Sequence, residues 1–232
     1  MASFYSFLTG PAFVFSLLVF FVGLAWRLVR YFKGLDWRLE RVAYRPHMDR
    51  GMKGGLWSIY KWLLPFGTVG WRAQPFFTIC FFLLHFGAVL IPFFLIGHTV
   101  ILEMNFGFSL PSLPQWLADL LTVFTIIGVF FITVRRIALP EVRILTTWYD
   151  YFILALVALP FITGLVARMH GAGSANYDFW MICHIITGEL MLILAPFTKL
   201  SHIALYFGSR WQIGADYAIK RGGHARGACF PW

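Results

Sequence analysis

The chain has 232 residues, of which 59% are hydrophobic, 19% aromatic and only 12% charged, with a formal net charge of +9. That balance is too apolar for a water-soluble domain and places the whole chain in one membrane domain. A basic excess on such a chain records topology rather than nucleic acid. The three cysteines, Cys80, Cys183 and Cys229, lie far apart, so no CxxCH attachment motif or CxxC metal or redox motif exists.

In chain order, five apolar stretches reach the length needed to cross a bilayer core, about 20 residues each: 8–29, 76–98, 119–134, 148–167 and 179–206. The third is the shortest. The fold class expected is an all-α membrane protein, a five-helix transmembrane bundle. The N-terminal segment lacks a basic n-region and a cleavage site, so the first stretch is expected to stay as a retained helix. Residues 30–74 form a polar, basic connection broken by Gly34, Pro46, Gly51, Gly54, Gly55 and Pro65. Within it, LWSIYKWLLPF mixes Trp57, Tyr60 and Trp62 with leucines, the pattern of a helix lying in the membrane interface.

Lysine and arginine set the expected orientation. Ten of the nineteen fall between Arg27 and Arg72, the third connection holds Arg135, Arg136 and Arg143, and the tail 207–232 holds Arg210, Lys220, Arg221 and Arg226. The second connection has none and the fourth is flanked only by Arg168. The positive-inside rule therefore puts the N-terminus outside and the C-terminus in the cytoplasm of a multi-pass membrane protein, with a bacterial inner membrane as the expected location.

Four of the seven histidines sit in or at the ends of two apolar stretches: His85 and His98 on the second, His184 and His202 on the fifth. Ionisable groups inside a bilayer are costly and point to function. His184 and His202 are 18 residues apart, five helical turns, which sets both rings on one face about 27 Å apart. Antiparallel packing of the two stretches brings His85 level with His202 and His98 level with His184, so that each pair can hold the iron of one non-covalent haem b. His85 and His98 fit less well, since 13 residues rotate by about 220° and rise about 20 Å. A kink at Pro92, aided by Gly87 and Gly97, is the expected remedy, and His170 in the outer loop is a rival ligand. On spacing alone the inner pair, His85 and His202, is the better founded.

Lys199, one turn before His202, suits a haem propionate or a quinone carbonyl, and equally a lysine snorkelling to the interface. Arg168 and His170 suit an outer propionate or quinone, although Arg168 also reads as a helix cap. Glu189, the one carboxylate deep in a stretch, suggests a proton relay or, preferably, a hydrogen bond within the bundle. Asp150 opens the fourth helix, where its charge favours the helix dipole. His47, His224 and Cys229 read as solvated or inert groups. The basic connection and the tail suit anionic membrane lipid or a cytoplasmic partner subunit.

The histidine pattern together with PFTKLSH at 196–202, and above all HIITGELMLILAPFTKLSH, resembles the gamma subunit of membrane-bound respiratory nitrate reductase, a dihaem cytochrome b family. The resemblance covers the chain from about residue 76 on. It implies two haems b, with His184 and His98 on the outer one and His202 and His85 on the inner one. The interval between the second-helix histidines and the length of the basic connection depart from that family. The connection is more similar to the cytochrome b subunits of transmembrane redox complexes of sulfate-reducing bacteria. That branch implies an electron-transfer subunit, not a complete enzyme, passing electrons between the quinone pool, with menaquinone as a candidate, or a periplasmic multihaem cytochrome c and a cytoplasmic iron-sulfur oxidoreductase subunit. The rival class is a haem-free transporter or scaffold, and a third reading keeps one haem, at His85 and His202.

Overall fold

In the computed structural model, which describes residues 2–34 and 47–221, every regular element is helical. The expectations on His224, Cys229 and the last eleven residues lie outside the described residues. Helices α1 (Ala2–Phe7), α2 (Phe13–Gly34), α3 (Met48–Leu63), α4 (Val69–Ala73), α5 (Pro75–Phe94), α6 (Ile96–Phe106), α7 (Gln115–Ala138), α8 (Pro140–Arg143), α9 (Trp148–His170), α10 (Ala175–Leu194) and α11 (His202–Arg221) follow one another. Among the described residues five continuous stretches are long and apolar enough to cross a membrane: Ser3–Gly34, Pro75–Phe94, Gln115–Ala138, Trp148–His170 and Asn176–Phe197.

These bounds differ from the sequence expectation in informative places. A single π turn, Leu8–Ala12, absorbs Pro11, so the first helix starts earlier than its apolar run. The third spanning helix, expected to be the shortest, is 24 residues long. It extends at its N-terminus, where Gln115 Nε2 donates to Asp119 Oδ1 at 2.8 Å, and at its C-terminus through Arg135 and Arg136, polar residues that hydropathy counts as loop. The second and fifth stretches, read as continuous helices, are both broken. At Leu95 the backbone turns extended (φ −74°, ψ 134°), two residues after Phe93 and three after Pro92, and α6 starts in a new direction. The carbonyl of Phe94, left without a helical partner, accepts the Leu113 N–H at 2.8 Å, so the following loop seals the break. At the other site two short 3₁₀ turns, Ala195–Phe197 and Lys199–Ser201, flank an extended Thr198 (φ −117°, ψ −175°). Pro196 starts that interruption.

The chain forms two compact units. The first comprises the residues up to Phe21 and Cys80–Leu200. In it, α9 packs along both α7 and α10. The crossing of α5 with α7 is close because glycines face it: a Cβ at Gly87 would lie 1.8 Å from Thr125 Oγ1, and one at Gly128 would lie 2.7 Å from Leu84 Cβ. Gly87 is thus a contact glycine rather than part of a kink. Gly107, at φ 76°, ends α6 in the left-handed conformation that favours glycine, its N–H donating to the Glu103 carbonyl.

The second unit comprises Val22–Ile79 and the chain from Ser201 on. Its core is the pairing of α3 with α11. Both helices are too polar to hold together by bulk, and they approach through glycine: a Cβ at Gly54 would lie 2.4 Å from the Gly214 carbonyl oxygen and from Ala218 Cβ. Tyr31 donates to Gln212 Oε1, and the Arg210 guanidinium lies 4.4 Å from the centre of the Trp62 ring. Much of the tail expected from residue 207 on is therefore the helix α11, ordered by α3.

Candidate cofactor-binding site

The break at Leu95 decides where His98 points. With α6 redirected, the His98 and His184 rings face each other with centroids 5.8 Å apart and planes 5° from parallel. Both residues belong to the first unit. His184 Nδ1 lies 2.7 Å from the Pro160 carbonyl oxygen on α9, and His98 Nδ1 lies 3.1 Å from the Ile91 carbonyl oxygen on α5. A carbonyl oxygen only accepts, so each Nδ1 carries the proton and donates. Each Nε2 is left with its lone pair, the tautomer that binds a metal ion.

Space for the His184 ring comes from Gly164, where a Cβ would lie 2.9 Å from both Cε1 and Nδ1 of that imidazole. Thr163 and Thr187 bridge α9 and α10 at 3.3 Å, one turn along each helix. These supports were not singled out in the sequence. Their signal was the pair Pro160 and Gly164, a helix-breaking residue and the one glycine within an otherwise regular helix.

The donor chemistry suits a haem iron: each ring keeps an unprotonated Nε2, and the centroid separation leaves room for one metal ion. Two imidazoles each about 2 Å from one metal ion have ring centroids about 6 Å apart, and the observed separation is 5.8 Å. Among the described residues no group of three or more His, Cys, Asp or Glu is placed to hold a metal ion. An axial pair on a porphyrin needs only two, the ring supplying the other donors.

Of the other histidines, His85 donates from Nδ1 to the Phe81 carbonyl at 2.7 Å and stacks on the Phe81 ring at 3.9 Å. It lies in the first unit. His202 is exposed, opens α11 and lies in the second unit. The break at 195–201 removes the continuous helix that put His184 and His202 on one face. His170 is exposed at the C-terminus of α9, where Gly171 (φ 71°) ends the helix. His47 is exposed ahead of α3.

Lys199 and Asp150 meet at 2.5 Å. Asp150, only 6% exposed, also closes a capping box with Thr147 at the start of α9. Lys199 is thus accounted for as the counter-charge of a buried carboxylate, and Asp150 does more than favour a helix dipole. Arg168 pairs with Asp119 at 3.5 Å, tying the end of α9 to α7. The preferred hydrogen bond of Glu189 is not made: its Oε1 is buried without a partner among the described residues.

Fold and site together define an all-helical protein with five helices long and apolar enough to span a membrane and a facing histidine pair between α6 and α10. No family model matches the chain. A protein of Nitratidesulfovibrio vulgaris (strain Hildenborough) is 64% identical over 228 residues, covering 98% of this chain and 100% of that protein, and the chain belongs to that protein's family.

Proposed function

We propose that this chain is a dihaem cytochrome b subunit of a respiratory redox complex in the bacterial inner membrane. The observation that carries the proposal is the His98–His184 pair, with parallel rings at a separation suited to one iron and both Nδ1 protons held by backbone carbonyls. A haem held by two imidazoles would supply electron transfer alone. His98 and His184 would hold the haem through Nε2, the Ile91 and Pro160 carbonyls keep the proton on each Nδ1, and Gly164 leaves the space in which the His184 ring sits. His85 holds its Nδ1 proton in the same way and would be a ligand of the second haem that the resemblance implies.

In this account electrons pass between the quinone pool or a periplasmic cytochrome c and a cytoplasmic iron-sulfur subunit. The distribution of lysine and arginine supports the orientation, N-terminus outside and C-terminus cytoplasmic. The rival is a haem-free transporter or scaffold, and optical spectroscopy separates the two. Purified protein reduced with dithionite is expected to show the α-band of a b-type cytochrome. A spectrum without haem bands, in protein shown to be folded, contradicts the proposal.

A further inference from the structure

Helix α3 buries only one side. Gly51, Gly54, Gly55 and Ser58 are buried, the three glycines against α11. Met48, Met52, Leu56, Tyr60 and Leu63 recur at three- and four-residue intervals on the far side and are 45–57% exposed. Further round the helix, roughly 20° to 100° past Tyr60 at the edge of that stripe, stand Lys53, Arg50 and Lys61, with the Lys61 ammonium 4.9 Å from the centre of the Trp57 ring. Asp49 is the one acidic residue of the helix.

Among the described residues nothing covers the stripe, and its chemistry selects a partner. Sixteen residues rise about 24 Å, short of the about 30 Å hydrocarbon core, and the lysines within them forbid crossing. An apolar stripe edged on one side by cations, with Trp57 and Tyr60 between, is the arrangement of a helix lying in the plane of a bilayer surface. The excess of positive charge selects anionic headgroups over zwitterionic ones. Long basic side chains on that edge reach phosphates while their stems lie on the acyl boundary.

We propose that α3 docks on an anionic lipid surface, burying Met52, Leu56, Tyr60 and Leu63 at the headgroup boundary with Arg50, Lys53 and Lys61 against the phosphates. The docking does not depend on haem. It fixes the α3–α11 pair at the membrane surface and leaves the remaining faces of α11 for other contacts.

The native side chains report the contact. Full-length protein in nanodiscs of phosphatidylcholine, with or without phosphatidylglycerol, is exposed to hydroxyl radicals and oxidation is read by mass spectrometry. Met52 and Tyr60 are expected to oxidise several-fold more slowly when phosphatidylglycerol is present, while Met169, exposed in the other unit, keeps the same rate. Each lysine replaced in K53Q and K61Q is expected to weaken docking about fivefold. Equal rates in the two lipids would overturn the proposal. So would protection that appears only when another protein co-purifies, which would assign the stripe to a subunit.

Discussion

Replacing Gly164 by alanine tests the histidine pair from outside it. The new methyl would sit 2.9 Å from Cε1 and Nδ1 of His184, so ring and helix must separate by about half an ångström to reach ordinary contact. The ring cannot swing freely, because its Nδ1 is bonded to the Pro160 carbonyl on the same helix at 2.7 Å. Two costs follow: overpacking between α9 and α10, about 1–3 kcal/mol, and loss of the carbonyl bond, about 1 kcal/mol. Once Nδ1 no longer donates there, the tautomer that offers Nε2 is no longer enforced. The assay is low-temperature EPR with haem quantification on the purified variant. The expected result is conversion of one of the two haems from a low-spin to a high-spin signal, or its loss, with a lowered melting temperature. Haem content and low-spin signals equal to the parent's, in a variant whose melting temperature has fallen, would refute the reasoning, since strain would then be present without any effect on ligation.

Other outcomes follow from the same geometry. His170→Ala should leave haem content and the low-spin spectrum unchanged, because His98 and not His170 lies beside His184; loss of a haem would restore His170 as the ligand. Gly54→Val sets a side chain against the Gly214 backbone, which no rotamer relieves, and should destabilise the α3–α11 pair by at least about 1–3 kcal/mol, seen as earlier proteolysis within α3. Burial of the Asp216 carboxyl on α11, outside the five spans, raises its pKa above the ordinary carboxylate value. The folded state then binds the proton more tightly than the unfolded state. Stability from this group is complete below the unfolded pKa and is lost as pH rises through the higher folded value. Asp216→Asn should therefore stabilise the protein above that window and flatten thermal stability against pH across it; an unchanged pH profile would remove Asp216 from the account.

How far the sequence reveals this structure differs from residue to residue. Five spanning helices are legible because length and apolarity set them locally. The break at Leu95 is not, because Pro92 marks a weak point without saying which residue turns extended, and the N–H that accepts the duty of capping Phe94 comes from Leu113, 19 residues on. That break reverses the ranking of the histidine pairs. The poor rotational fit of His98 was a property of an ideal helix, and once the helix stops, His98 reaches His184. The good fit of His184 to His202 assumed a helix that Pro196 and Thr198 interrupt. Helix α11 was not legible in the tail since it is weakly apolar and its partner α3 is rich in glycine. The spacing of Gly51, Gly54 and Gly55 against Gly214 was the available signal of two helices in close contact.

The central claim is that His98 and His184 hold one of two haems. Pyridine haemochrome analysis of the purified chain and of its His184→Ala variant tests it most directly. The account predicts two haems b per chain in the parent and one in the variant, with the protein still folded. A parent without haem, or a variant that keeps both, would contradict it.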